Sequence, residues 1–222
     1  NSATMLLFVS ANKTTTAANA ILLQYFAPII TILIGTFFLK EHPKIEHILA
    51  IPLVAMGLIL MFIDDLSGGH LLGNTLALLS AFSFSLYFIF MRKQKYGSPL
   101  ESILLSHWFT ACIALIVSFF IPLPSVSWQS IGAIAVLGVV QIGFAAILFS
   151  AAIKKVSAAQ ANLIAVIEPV FNPIWVFLVL GETPGIRTLI GGIIVIAAVT
   201  ASSVINTIRA KADVVKASSA AD

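Results

Sequence analysis

Long runs of residues without a charged side chain alternate with short polar segments along the chain. No Asp, Glu, Lys or Arg occurs in residues 14–39, 66–91, 102–153 or 188–208. A helix needs about 20 apolar residues to cross the hydrocarbon core of a membrane, whereas a barrel strand would alternate apolar and polar residues. The pattern therefore predicts an all-α membrane protein, a bundle of several spanning helices.

Turn-forming residues divide the apolar runs into seven predicted spans. The longest run is interrupted by Pro122-Leu-Pro-Ser-Val-Ser127, and Glu182-Thr-Pro-Gly185 separates the last two spans. Residues 1–11 are apolar but too short to cross a membrane, so they are expected to form the end of another helix. The predicted spans are 17–39, 47–63, 71–91, 100–121, 130–152, 158–180 and 186–206.

Composition excludes several classes of protein. Hydrophobic residues make up 59% of the 222 residues and charged residues 9%, against roughly 25% charged in a typical soluble domain. The polar side chains are too few to cover a water-facing surface, which excludes a soluble enzyme, a nucleic-acid-binding domain and a disordered chain. The sequence contains no common catalytic, metal-binding or nucleotide-binding motif, so we expect no catalytic residue, metal or cofactor.

The basic residues predict which end of the bundle faces the cytoplasm. When the loops are assigned alternately from the C-terminus, ten of the 12 Lys and Arg residues fall on one side, and only Lys13 and Arg187 fall on the other. Basic residues concentrate in cytoplasmic loops. The C-terminus is therefore predicted to be cytoplasmic.

Two regions of the chain resemble each other at a constant offset of 141 residues, the separation of Pro28 and Pro169. Residues 7–58 and 148–199 share 14 identities in 52 positions without a gap. The two copies are an odd number of spans apart, so they should cross the membrane in opposite directions. Inverted repeats of this kind recur in secondary transporters.

The repeat also predicts how the chain is organised. The second copy has five spans from residue 71, so the first copy should begin about 70 residues before Asn1 if the repeats are equivalent. We therefore expect 1–63 to be the last part of the first repeat, 71–206 to be the second repeat, and 207–222 to be a cytoplasmic tail. In this interpretation the chain is a fragment, or comes from a truncated reading frame, and holds two inverted five-helix repeats with the first incomplete.

Two segments resemble the two copies of the EamA domain of the drug/metabolite transporter superfamily. The first is Thr14-Thr-Thr-Ala-Ala-Asn-Ala-Ile-Leu-Leu-Gln-Tyr-Phe-Ala-Pro28 with Phe38-Leu-Lys-Glu41, and the second is Ser157-Ala-Ala-Gln-Ala-Asn-Leu-Ile-Ala-Val-Ile-Glu-Pro169 with Leu180-Gly-Glu182. The resemblance implies ten helices, two cytoplasmic termini and a central cavity between the halves. It also implies export or exchange of small metabolites, amino acids or drugs across a bacterial inner membrane.

Glu168 is the strongest candidate for a functional residue. It lies near the middle of the predicted span 158–180, where an ionised carboxylate must be protonated, paired or in contact with water. One interpretation is a group that couples protons or binds a substrate amine. The other is a protonated side chain that bonds backbone groups freed by Pro169.

A polar face on the same predicted helix supports a cavity. At 100° per residue, Asn162, Glu168, Asn172 and Trp175 fall on one side of a continuous helix, and Phe171 falls opposite. These four residues are candidates for substrate binding.

Further substrate-binding candidates lie in other spans. Gln24 belongs to the first copy and should face the same central space, although an interhelical hydrogen bond explains it equally well. Tyr25, His107 and Gln141 are weaker candidates, because a histidine or glutamine inside a span is often satisfied by packing and hydrogen bonding.

Four residues are interpreted as structural. Pro28 and Pro169 occupy matched positions in the two copies. Glu41 and Glu182 each precede a proline by two residues, so each carboxylate is expected near the positive end of the helix that follows.

These observations together predict a multi-pass integral membrane protein of the bacterial inner membrane. We expect a secondary transporter that moves a small metabolite, amino acid or drug by alternating access, without ATP hydrolysis. The expected partners are a small-molecule substrate and the lipid bilayer, with protons as a candidate coupling ion and a homodimer as a candidate assembly. The alternatives are a passive channel or facilitator, and a truncated membrane subunit that does not transport.

Overall fold

The computed structural model describes residues 1–41, 44–66, 68, 70–120, 127–181, 183 and 185–219, all within a helical bundle without strands in those ranges. A 3₁₀ turn, Gln94–Tyr96, follows the helix Leu71–Lys93, and a π-helix, Leu137–Phe144, joins the helices Trp128–Val136 and Ala145–Ala152. The α-helices are α1 (Ser2–Thr14), α2 (Ala17–Gln24), α3 (Ala27–Phe38), α4 (Ile45–Phe62), α5 (Leu71–Lys93), α6 (Pro99–Ser118), α7 (Trp128–Val136), α8 (Ala145–Ala152), α9 (Ala158–Ala165), α10 (Glu168–Leu180) and α11 (Ile186–Ser219).

Six helical segments in the described ranges are long and apolar enough to cross a membrane. They are Ala17–Phe38, Ile45–Phe62, Leu71–Tyr96, Pro99–Ser118, Trp128–Ala152 and Ile186–Arg209. These six correspond to six of the seven predicted spans. The remaining predicted span, 158–180, contains two helices, α9 and α10, separated by a turn at Val166 and Ile167.

The two copies share their helix boundaries as well as their sequence. The first copy has the same break, at Tyr25 and Phe26, so α2 and α3 reproduce α9 and α10 at the 141-residue offset. Pro28 and Pro169 each lie in the first turn of the helix after the break, where a missing backbone N–H costs no intrahelical bond. The proline that would disrupt a continuous helix therefore begins a new one.

The same side-chain cap begins α2 and α9. The hydroxyl of Thr16 accepts a hydrogen bond from the backbone N–H of Asn19, and the hydroxyl of Ser157 accepts one from Gln160. Each bond satisfies one of the free N–H groups of a helix start. The two copies thus share the same N-terminal hydrogen bond, although the capping residue is Thr in one copy and Ser in the other.

The related helices α4 and α11 run antiparallel. Glu46 of α4 pairs with Arg209 near the far end of α11, and Asp64 pairs with Arg187 at the other end of both helices. Between these ion pairs, a Cβ added to Gly191 would lie 2.4 Å from the backbone oxygen of Gly57. Such close approach of two helix backbones requires small residues. Because α4 and α11 begin at matching positions of the two copies and run in opposite directions, the repeat is inverted.

The core lies along the centre of the bundle, and the periphery is apolar and exposed. One buried cluster joins α4, α9 and α11 through Leu58, Leu163 and Val195. A second joins α5, α6 and α8. No residue of α7 is buried, because the helix lies at the edge of the bundle, where lipid takes the place of a protein partner.

Candidate functional site

A cavity of about 720 Å³ lies between α1, α5, α6, α10 and the segment from the π-helix to α8. Sites for small molecules commonly have about 300–1,000 Å³. The polar side chains of its lining are Asn1, Tyr87, His107, Gln141 and Glu168. Among the described residues, no Lys or Arg side chain lines it, and Glu168 is its one acidic side chain.

Helix α10 presents a carboxyl group and two aromatic rings to this cavity. Glu168, Phe171 and Trp175 are spaced i, i+3 and i+7, and all three line the cavity, so they share one helix face. Glu168 is the first residue of α10, and its carboxyl group makes no hydrogen bond within the described part of the chain. The carboxyl group therefore lies at a helix break and is available to a ligand.

The cavity lining also contains stacked aromatic rings. The rings of Tyr87 and Phe149 lie 5.6 Å apart between centroids and are inclined by 16°, and both residues line the cavity. Flat aromatic walls beside one carboxyl group suit a ligand with a positively charged amine, because ring faces attract cations.

Gln141 and His107 complete the polar lining. Gln141 lies within the π-helix Leu137–Phe144, and such wide turns re-aim side chains and are frequent at functional sites. His107 lies in the middle of α6, and its Nδ1 is 3.5 Å from Nδ2 of Asn1. The cavity thus brings together Glu168, Trp175, His107 and Gln141 from the residues selected in the sequence.

Gln24 and Asn162 lie elsewhere and are bonded across helices. Nε2 of Gln24 donates to the hydroxyl of Ser80 over 3.0 Å, and Nδ2 of Asn162 donates to the hydroxyl of Thr31 over 2.6 Å. Asn162 is fully buried. Neither residue lines the cavity. For Asn162, the break at Val166 changes the phase that a continuous α9–α10 helix would have.

Tyr25 lines a different, apolar pocket of about 300 Å³, between α2, α3, α4 and α9. It also lies within electrostatic reach of Glu168. The side chain of Asn172 lies outside the part of the structure that is described. The prediction that Phe171 lies opposite Glu168 was wrong: both residues belong to α10, where their i, i+3 spacing places them on one face, and both line the cavity.

Glu41 connects the two copies at the basic end of the bundle. Its Oε1 accepts from Nε of Arg92 over 2.8 Å, and its Oε2 accepts from the backbone N–H of Ala158 over 3.3 Å. Glu41 therefore lies at the positive end of α9, in the other copy, whereas the sequence predicted a role at the start of the helix that follows it. Arg92 also donates to the carbonyl oxygens of Ile153 and Lys154. Glu182 lies outside the described residues.

Phe149 and Phe171 are among the cavity residues that were not selected from the sequence. Phe149 gives no signal in the sequence, because an apolar ring in a span looks like any packing residue. Phe171 could have been found from its spacing, since residues 168, 171 and 175 (i, i+3, i+7) share one face of any α-helix that contains them.

Comparison with known proteins gives a consistent assignment. The profile of the "EamA-like transporter family" matches residues 1–63 and 71–204. An "Uncharacterized transporter" of Archaeoglobus fulgidus is 30% identical over 204 residues, which cover 90% of this chain and 72% of that protein. A crystal structure of a protein with 18% identity has a TM-score of 0.78, covering 91% of this chain and 72% of that one. The chain belongs to the EamA-like transporter family.

Proposed function

We propose that this membrane transporter moves a small molecule that carries a protonated amine, and that the molecule binds in the cavity beside Glu168. The observation that carries the proposal is a single acidic side chain among the described cavity residues, at a helix break and facing aromatic rings. A carboxylate within a membrane needs a partner, and the ammonium group of a substrate or a proton is a suitable one.

Proton exchange is part of the proposal. A carboxyl group that binds either a proton or an ammonium ion couples the two in opposite directions, because one must leave before the other binds. Trp175 and Tyr87 would hold the organic part of the cation through their ring faces. Gln141 and His107 would supply hydrogen bonds that orient a polar substituent.

Alternating access is supported by the contacts at the basic end. Arg92 connects Glu41 of the first copy with Ile153 and Lys154 of the second, so direct contacts join the copies at this end of the bundle. Rocking of one repeat against the other would open it. We propose that this end and the C-terminus are cytoplasmic, because it also carries Arg209 and most of the basic residues.

Reconstitution tests the proposal. Purified protein in liposomes with an imposed pH gradient should take up a radiolabelled amine from a set of small amino acids and polyamines, with saturation and counterflow. Glu168→Gln should abolish the pH-driven component. Glu101→Gln is the matched control, because Glu101 is exposed at the start of α6 and does not line the cavity.

Each outcome has a distinct meaning. Flux without saturation or counterflow would support a passive channel instead. Saturable uptake that Glu168→Gln leaves with unchanged rate and unchanged pH dependence would contradict the role given to this carboxyl group.

A further inference from the structure

A narrow groove between α4 and α11, on the outside of the bundle, is separate from the central cavity. Its volume is about 190 Å³, which is smaller than the roughly 300–1,000 Å³ typical of sites for whole small molecules. Its apolar walls are Ile45, Leu49, Ala50, Leu53, Ala198, Ala201 and Ile205, and its polar end is formed by Glu46, Ser202 and Arg209. We call it the α4–α11 groove.

The polar end of the α4–α11 groove lies at one boundary of the hydrocarbon core. The Glu46–Arg209 and Asp64–Arg187 ion pairs mark opposite ends of the antiparallel helix pair. From Glu46 to Phe62, where α4 ends, the helix rises about 24 Å at 1.5 Å per residue, and Asp64 lies two residues further, so the distance is close to the roughly 30 Å of a bilayer core. From Glu46 the groove extends about 10 Å towards the membrane centre, as far as Leu53, by the same rise.

Two buried polar side chains of the groove have acceptor or donor capacity left over. The Glu46 side chain is 3% exposed, and its Oε2 accepts from NH1 of Arg209 over 2.7 Å. Its Oε1 has no hydrogen-bond partner in the described ranges, nor has the hydroxyl of Ser202, a residue that is 3% exposed. Buried polar atoms are normally hydrogen-bonded, so this end of the groove is suited to a ligand with its own polar head.

The charges at this end of the groove indicate which polar head would fit. Oε1 of Glu46 can accept from a cation that has N–H donors. The Arg209 side chain is 56% exposed, and its guanidinium group has further N–H donors, without an acceptor in the described ranges, that can bind an anionic oxygen. Lys44, exposed immediately before α4, adds positive charge at the same level. A phosphate next to a primary ammonium matches this pattern, whereas a choline head has no N–H donor and a glycerol head has no cation.

We propose that the α4–α11 groove binds a glycerophospholipid of the bilayer whose head carries a primary ammonium. The ammonium donates to Oε1 of Glu46, the phosphate accepts from Arg209, and part of one acyl chain lies along Leu49, Leu53 and Ile205. The site is independent of the proposed transport reaction, since none of its residues lines the central cavity.

Native mass spectrometry of the delipidated full chain with added lipid tests the proposal. The probes are phosphatidylethanolamine, phosphatidylcholine and phosphatidylglycerol of equal chain length. A hydrogen bond to a charged group is stronger than one between neutral groups, so phosphatidylethanolamine should be retained at least about 10-fold more than either of the others, which corresponds to about 1.4 kcal/mol. Glu46→Gln should remove this preference. Asp64→Asn, which changes the equivalent ion pair at the opposite end, should keep it.

A steric variant keeps the test decisive if Glu46→Gln fails to fold. Ala201→Phe places a ring in the groove without touching its polar groups, and should lower retention of all three lipids to that of non-specific binding. Val204→Phe is the control, because Val204 is exposed on the same helix outside the groove. Equal retention of the three lipids by the unmodified protein would overturn the proposal. So would a change in the monomer–dimer ratio of Ala201→Phe with lipid retention unaltered, since a second copy would then occupy the groove.

Discussion

Thr31→Val removes the hydroxyl that accepts the side-chain amide of Asn162 and so tests how the two copies are held together. The Asn162 Nδ2 to Thr31 Oγ1 distance is 2.6 Å, and the two residues are 0% and 1% exposed. Thr31 lies on α3 of the first copy and Asn162 on α9 of the second. The contribution of this bond to stability therefore reports on the contact between the two repeats at the centre of the bundle.

The expected magnitude follows from burial. Valine has nearly the shape of threonine, so the packing is kept and the change leaves a buried amide without its acceptor. Such a group costs about 1–3 kcal/mol of folding free energy. Interhelical hydrogen bonds in membranes average less in double-mutant cycles, about 0.6 kcal/mol with a maximum near 1.7. We expect Thr31→Val to lower the free energy of unfolding by about 1–2 kcal/mol.

A double-mutant cycle with Asn162→Leu isolates the bond. Oδ1 of Asn162 has no hydrogen-bond partner in the described ranges, so replacing both polar groups should cost less than the sum of the single changes. The coupling should be about 0.6–1.7 kcal/mol, measured by reversible unfolding in mixed detergent micelles. Thr36→Val is the control, because the Thr36 hydroxyl bonds Ile32 of its own helix. A coupling no larger than the experimental error would refute the inference that this contact joins the repeats.

Two further predictions concern contacts between helices. Gly191→Ala should lower the thermal unfolding temperature, because its Cβ would lie 2.4 Å from a backbone oxygen of α4, whereas Gly132→Ala, with no heavy atom within 4 Å, should leave it the same or higher. Arg92→Lys should loosen the basic end, since one ammonium group cannot reproduce the bonds of the guanidinium to Glu41 and to two carbonyls. Accelerated proteolysis or cysteine labelling of the loops at that end would show the loosening. Arg187→Lys is the control and should have little effect, because Arg187 is in an exposed ion pair. Equal effects of both lysine variants would contradict the prediction.

Most of the fold could be predicted from the sequence, because the signals that indicate it extend over long stretches of the chain. Charge-free runs and the 141-residue offset need no side-chain geometry, so six spans and the inverted repeat could be predicted. The spans containing Pro28 and Pro169 were predicted as continuous helices. Both are broken, since each proline begins a new helix after a turn.

The candidate site was less accessible, because it depends on helix phase and on which helices become neighbours. Glu168 could be selected from its charge alone, but the break separates it from Asn162, which bonds Thr31. Gln24 illustrates the second limit. Its bond to Ser80 of α5 depends on a contact between helices 56 residues apart, and no periodicity in the sequence specifies that contact.

The two helix breaks occupy equivalent positions in the two repeats but have different surroundings. The break after Ala165 opens beside Glu168 into the polar cavity, whereas the break after Gln24 is next to an apolar pocket that Tyr25 and Phe26 help to line. The same backbone break thus borders a cavity with polar lining in one half of the molecule and an apolar pocket in the other. Glutamate occupies position 168 where the first half has Ala27, so a single difference in residue type gives one break a charge that the other lacks. Under the proposed function, the two halves would share one backbone framework, and only the second would supply the acidic group that selects the substrate.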